Sequence, residues 1–231
     1  MMNNERIFVN EKDIAEFGAR ALRDTIVVGG TEIKNDYFKG RNRTNFTLMS
    51  CEFGLKPVSF TLVYLGKTLR EITENKSKCE AEMYNGCELH LPDGFYYRSM
   101  LENIAEMKAK GVDGQGCLCE CKYTFKGIQH DDMITVPNGA TFQARGTAPQ
   151  TDCILSVTVG AAANHYTLGG ADFGAVEAGD VLTFDGINKR FLKNGAPTTA
   201  ASWISFPSIK QGVNHFTALD TVKVQYYPCY I

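Results

Sequence analysis

The chain reads as mainly β: an α+β first domain with one helix over residues 1–128, then an antiparallel β-sandwich over 129–231. Three observations predict this. After residue 129, strand-like runs and turn signals alternate at roughly 8–12 residues per unit, with no helical stretch among them. In the first part, only residues 68–84 join a helix start signal to apolar residues at helical spacing. And Cys117 to Lys126 alternates strictly, one face against the other, as a half-buried strand does.

The 231 residues are enough for two domains of about 100 residues each. A hydrophobic content of 44% is ordinary for a protein with a real core. The formal charge of −2 leaves no electrostatic case for a nucleic-acid partner. No apolar run reaches the ~18–20 residues that cross a bilayer, so no membrane partner is expected. The opening Met1-Met2-Asn3-Asn4-Glu5-Arg6 has no apolar core of a secretory signal, so synthesis and folding in a cytoplasm are expected. In that compartment the eight cysteines are expected to stay reduced.

Taken in order, residues 5–39 read as short strands and loops, with β-type runs at Ile7, Val9 and Ile26–Val28. Asp13 to Arg23 places Ile14, Phe17, Ala21 and Leu22 at near-helical spacing, and Gly18 weakens that helix by about 1 kcal/mol. Residues 40–56 are polar, with Arg41 and Arg43 close together, and Phe46, Leu48 and Ser50 alternate with Thr47, Met49 and Cys51. Two readings stay open there: an edge hairpin, or an arm paired with another subunit.

Val58 to Leu65 is apolar at most positions on both faces, which predicts a central strand covered on both sides. Thr68-Leu69-Arg70-Glu71 is a capping-box pattern, and Leu69, Ile72, Cys79 and Met83 follow at helical spacing. This predicts a helix over 68–84, stopped by Asn85-Gly86 and lying on the Val58–Leu65 sheet. Residues 87–101 read as a hairpin about Pro92-Asp93-Gly94. Residues 102–110 are helix-like in composition but are read as strand and loop. Cys117 to Lys126 closes the first domain, and Gly127–Asp132 is read as a polar crossover holding the boundary.

Candidate strands of the second domain are 133–136, 141–146, 153–159, 165–168, 181–184, 189–193, 203–206, 213–218 and 222–227. In the last, Val222, Val224 and Tyr226 face one way, and Lys223 and Gln225 the other.

No chemistry-bearing constellation stands out. Cys117, Cys119 and Cys121 share a strand face, but zinc usually takes its pairs from turns at C-x₂₋₄-C spacing, so they are read as core. His90, His130, His165 and His215 sit in unrelated segments, none in a nucleophile or metal motif. Gly29-Gly30 and Gly169-Gly170 lack the strand–loop–helix context of a phosphate cradle. No catalytic, cofactor-binding or metal residue is therefore assigned.

Several motifs carry a resemblance. Pro207-Ser208-Ile209-Lys210-Gln211-Gly212-Val213-Asn214 has the form apolar-x-apolar-Lys-x-Gly-x-Asn, and the chain ends Tyr226-Tyr227-Pro228-Cys229-Tyr230-Ile231. Asp13-Ile14, Phe17-Gly18-Ala19 and Leu22 form a third motif; Leu91-Pro92-Asp93-Gly94-Phe95-Tyr96-Tyr97 is a fourth. Val136-Pro137-Asn138-Gly139 with Ala148-Pro149 is a fifth. Together they resemble the distal tail protein family (Dit) of siphovirus-type phage tails, although that family's ending carries Arg where this chain has Cys229. The resemblance spans both halves.

It implies that the second domain is galectin-like and that the first assembles into a hexameric ring. The implied role is a structural hub at the virion tail tip, assembled in the host cytoplasm. Its partners would be other copies of itself, the tail tube protein above, the tail-associated hub protein below and docked receptor-binding proteins. It implies no enzyme activity and no cofactor. A galectin-like fold also raises a carbohydrate-binding accessory module as the alternative, but Trp203, the only Trp, has no Glu or Arg at strand spacing. Its neighbours Ile204 and Phe206 read as sandwich interior. A hydrolase with an unrecognised site ranks third.

Overall fold

The spine of the first unit is the strand Lys56–Gly66. In the computed structural model, which describes residues 6–39, 46–112 and 116–231, it is paired on both edges. One edge takes Gly116–His130, in antiparallel register from Cys117↔Gly66 to Gly127↔Lys56; the other takes Ala19–Ala21 and Val27–Val28. The sheet runs in the order Lys12–Asp13, Phe8–Val9, Cys87–His90, Tyr96–Ile104, Gly116–His130, Lys56–Gly66, Ala19–Ala21. Two compact units divide the chain, Met1–Gln129 with Ile231, and His130–Tyr230.

Alternation explains the first core. Val58, Phe60, Leu62 and Tyr64 point to one face and are fully buried; Phe125, Tyr123, Cys121 and Cys119 stand opposite them and are buried too. Each such cross-strand pair contributes roughly 0.2–1 kcal/mol beyond burial alone. The helix Leu69–Ala81 closes over this face with Ile72 and Cys79. It starts as the cap pattern predicts: Thr68 Oγ1 accepts from the Glu71 N–H at 3.2 Å. The Glu71 carboxylate turns back one residue further than a capping box requires and accepts from the Lys67 N–H at 2.8 Å. The helix ends earlier than the predicted residue 84. Glu82 is its cap, Met83 drops into the core from the turn that follows, and Gly86 leaves that turn at φ 83°.

Other expectations need correction. Lys56–Gly66 is central, but only one face is fully buried; on the other, Ser59, Thr61 and Val63 are half-buried and Leu65 is 43% exposed. The strands Tyr96–Ile104 and Gly116–His130 lie in the same sheet. The helix suggested by Asp13–Arg23 is a 3₁₀ turn, Ile14–Phe17; Asp13 caps it through Ala15 N–H, and Gly18, at φ 63°, ends it. Gly127–Asp132 is not a loop throughout: Gly116–His130 runs to His130, with Gly127 and Gln129 buried. Gly127 sits there because a Cβ would meet Ser99 Oγ at 2.3 Å and Arg98 O at 3.0 Å.

In the second unit the main sheet runs Ile134–Val136, Lys223–Tyr226, Gln150–Thr158, Val181–Asp185, Arg190–Lys193, Ala196–Thr198, each neighbour antiparallel. Ser208–Lys210 pairs with the start of Gln150–Thr158. Short ribbons, Thr167–Leu168 with Ala171–Asp172 and Phe142–Ala144 with Gly212–Asn214, supply much of the opposing layer. Between them lie Leu155, Val157, Leu182, Phe184, Val224 and Tyr226 against Tyr166, Leu168, Ala171 and Ile209. Val222, Val224 and Tyr226 do share the buried face. The predicted strand over 203–206 is instead a loop, and Ala196–Thr198 and Ser208–Lys210 are strands that the alternation pattern missed.

Candidate interaction surfaces

A cluster of polar side chains lies inside the first unit. Glu80, on the helix, is buried and accepts from Tyr123 Oη at 3.1 Å, Lys76 Nζ at 2.5 Å and Tyr84 Oη at 3.3 Å. Tyr123 Oη is in turn 2.9 Å from Tyr64 Oη. Burial pushes both buried tyrosines far above the usual phenol range. The cluster braces helix to sheet, with Tyr84, 60% exposed, at its solvent edge. All eight cysteines are free. Burial raises the thiols of Cys79, to about 11, and of Cys87 and Cys153, to about 12, away from nucleophile character.

The histidines stay apart. His90 is stacked between Phe8 and Tyr96, with ring centroids 5.7 and 4.5 Å away. His130 is buried edge-on to Tyr227. His165 Nδ1 lies 3.0 Å from Asp172 Oδ2 at the surface. The Asp172 carboxyl is held below its usual range by the Gly174 N–H and then by His165. Among the described residues no hydroxyl or thiol hydrogen-bonds to His165. His215 touches Thr141 Oγ1, whose proton goes to the Ala140 carbonyl. Among the described residues, no group of three or more His, Cys, Asp or Glu side chains could hold a metal ion.

The unsatisfied surface of the first unit is a hairpin. Ile33–Lys39 pairs with Phe46–Phe53 as a separate two-stranded ribbon, outside the main sheet. Every described side chain on it is exposed, on both faces. They include Ile33, Tyr37, Leu48 and Phe53, with Phe38 at 69% and Met49 at 67%. The register slips between Asp36 and Tyr37: Asp36 faces Ser50, Tyr37 faces Leu48, and Met49 is the extra residue. Arg41 and Arg43 lie outside the described residues. The sequence marked 40–56 as strand-like, but it did not single out Ile33–Lys39 as the partner strand; Ile33, Tyr37 and Phe38 were the available signal. A ribbon of this length without a covered face is marginal alone in water, and large exposed apolar patches mark interaction sites.

In the second unit Trp203 and Ile204 are not interior. Ile204 is 98% exposed and Trp203 48%, with the indole edge-on to Phe191 at 5.2 Å. The loop is held from behind by Asp172, whose N–H donates to Ser202 O and whose carbonyl accepts from Ala201 N–H.

The residues of the quoted motifs turn out to fasten turns. Asn214 accepts from Lys210 N–H and donates to the Lys210 and Gly212 carbonyls, closing a turn that Gly212 enters at φ 96°. Asp93 accepts from Phe95 N–H and Tyr97 Oη across a turn in which Gly94 stands at φ 84°. Near the end of the chain, the Cys229 carbonyl accepts from Thr147 and Ala148 N–H, and Pro228 O accepts from Asp131 N–H.

No protein-family model matches the chain, and no curated protein matches it by sequence. Solved structures do match. The Dit protein of phage SPP1, described as a paradigm of the hub adsorption apparatus in phages infecting Gram-positive hosts, superimposes with a TM-score of 0.66 at 10% identity. That match covers 98% of this chain and 99% of that one. A chain of the phage P2 baseplate, in its activated conformation with calcium, matches with a TM-score of 0.52 at 11% identity, over 97% and 98% of the two chains. The same baseplate with strontium gives 0.52 at 11% identity, over 96% and 97%. The chain has the Dit-type fold from end to end.

Proposed function

We propose that this chain is a structural hub protein of a phage tail tip, with no catalytic role. The observation that carries the reading is the end-to-end likeness to SPP1 Dit, at a TM-score of 0.66. A local match of one sandwich would fit many functions; a match through both units, in the same order, supports one assembly role. Within it, the first unit would form the ring, hexameric as the family resemblance implies. The second, galectin-like unit would be the peripheral module. The ring would join the tail tube protein to the tail-associated hub protein and carry receptor-binding proteins.

The hairpin Ile33–Phe53 supports this reading from the side of physics. Among the described residues Ile33, Phe38, Leu48 and Met49 are exposed there, and a neighbouring copy in a ring would cover such a surface by one contact repeated by rotation. The test is light scattering of the full chain over a concentration series, beside a variant carrying Tyr37→Ser, Phe38→Ser, Leu48→Ser and Met49→Ser. The reading expects a ring-sized mass that the variant loses while keeping its circular dichroism. A chain that stays monomeric at every concentration, and also fails to bind a tail tube protein from its own phage, would overturn it.

One observation favours the alternative of a carbohydrate-binding module: the half-exposed ring of Trp203. Because Trp203 is the only Trp, its fluorescence reports directly on sugar stacking. A saturable shift with a defined oligosaccharide, abolished by Trp203→Ala, would establish that reading; a flat titration removes it.

A further inference from the structure

The chain holds three Asn-Gly steps: Asn85-Gly86, Asn138-Gly139 and Asn194-Gly195. Each is a latent electrophile–nucleophile pair, because a glycine nitrogen, with no side chain beside it, can reach the preceding amide carbon. Reaction needs both members free. At Asn194 neither end of the amide is: Oδ1 accepts from Val181 N–H at 2.7 Å, and Nδ2 donates to Asp180 at 2.8 Å. At Asn138, Oδ1 accepts from Ala140 N–H at 3.0 Å. The nucleophile is tied as well, since Gly139 N–H donates to Val222 O at 2.7 Å. Asn85 differs. Among the described residues, its side-chain amide has no hydrogen-bond partner, and both Asn85 and Gly86 are exposed to water.

We propose that Asn85 is a site of spontaneous deamidation built into the first unit, and that folding protects the other two steps. The Gly86 nitrogen, losing its proton to solvent, attacks Asn85 Cγ. A C–N bond forms, the side-chain nitrogen leaves as ammonia, and a five-membered succinimide results. Water then adds to either imide carbonyl and opens the ring to aspartate or isoaspartate. No oxidant or reductant enters.

The position makes the product consequential. The new carboxylate appears just past the carboxyl end of the helix Leu69–Ala81, where negative charge is disfavoured, beside Glu82. Isoaspartate also lengthens the main chain by one methylene. That extra atom falls inside a segment clipped at both ends by one side chain: Asn10 donates to Glu82 O and accepts from Glu88 N–H, each at 2.9 Å. The strain falls on the start of Cys87–His90, whose register begins at Cys87↔Ser99.

The test is ageing of the full-length protein at mildly alkaline pH, with peptide mass mapping of the three sites and isoaspartate detection. A parallel sample is held in denaturant. The folded chain should convert Asn85 several-fold faster than Asn138 or Asn194, while the denatured chain converts all three at comparable rates. Asn85→Gln should abolish the early product and leave the other two sites unchanged. Asn138 or Asn194 leading in the folded chain, or three equal rates there, would overturn the proposal.

Discussion

Tyr123 donates its hydroxyl to Glu80 across the helix–sheet interface at 3.1 Å, and that carboxylate also accepts from Lys76 Nζ at 2.5 Å. One buried acceptor thus holds two elements together. Glu80→Ala should cost about 3 kcal/mol, because it leaves the Lys76 ammonium without its carboxylate and takes one of the two partners of the Tyr123 hydroxyl. Tyr64→Phe, which removes one hydrogen bond at the end of the chain of hydroxyls, should cost about 1 kcal/mol. Denaturant unfolding of the full chain, following the transition of the first unit, measures both. Equal effects would deny Glu80 its bracing role.

Gly127→Ala should destabilise the first unit by about 1–3 kcal/mol through overpacking, since the added carbon lands on Ser99 Oγ and the Arg98 carbonyl. The companion Ser99→Ala with Gly127→Ala should recover part of the loss. A neutral single variant would mean that the two strands can separate without cost.

Thiol ionisation sets an alkaline limit. Cys79, Cys87 and Cys153 are raised from the ordinary 9.0 to about 11, 12 and 12. A raised acid favours the fold below its unfolded value and loses that advantage as pH climbs toward the folded one. Stability should therefore fall between about pH 9 and 12. Replacing Cys153 with Ala or Val should flatten the fall in the second unit. In the native protein, exposed Cys51 should alkylate first, and the buried thiols only on unfolding.

An acid limit comes from Asp180, held down to about 2 by the Glu177 N–H, then by Lys193 and Asn194. A depressed carboxyl stabilises the fold above its unfolded value, 3.8 here, and that contribution disappears as pH falls through about 2. Asp180→Asn should flatten the acid limb of the second unit's melting temperature plotted against pH. An unchanged limb would assign acid unfolding to other groups.

Proteolysis should cut within Ile33–Lys39 or Phe46–Phe53 before it cuts Lys56–Gly66, because only the latter is paired on both edges and packed on a core. Assembly should slow the cutting in the hairpin. Early cleavage inside Lys56–Gly66 would contradict the sheet order.

What the sequence made legible was local. Asp93 acts on a turn two to four residues away, so Pro92-Asp93-Gly94 could be read directly as a hairpin turn. The helix start at Thr68 was legible for the same reason. Placements decided by distant partners were not. Gly127 looks like linker glycine until Ser99 is brought against it. Glu80 looks like any solvated helix residue until Tyr123 arrives from the sheet. Trp203-Ile204-Ser205-Phe206 alternates as a strand does, yet Asp172 and Phe191 hold it as a loop with Ile204 in water. The apolar run Val58–Leu65 showed that both faces are greasy, but not that only one is fully buried.

The slip at Met49 carries a consequence for the life of the free chain. A ribbon with open edges and apolar sides is a template for fibres, which grow from runs of about six or seven residues that stack in register. Here the ladder is broken into four pairs from Ile33 to Asp36 and three from Tyr37 to Lys39. The extra residue bends the strand and tightens its twist, so two such ribbons cannot lie flat against each other. On the proposed reading, the ribbon would stay apolar enough to grip a partner shaped for it while remaining a poor seed for fibres of its own kind.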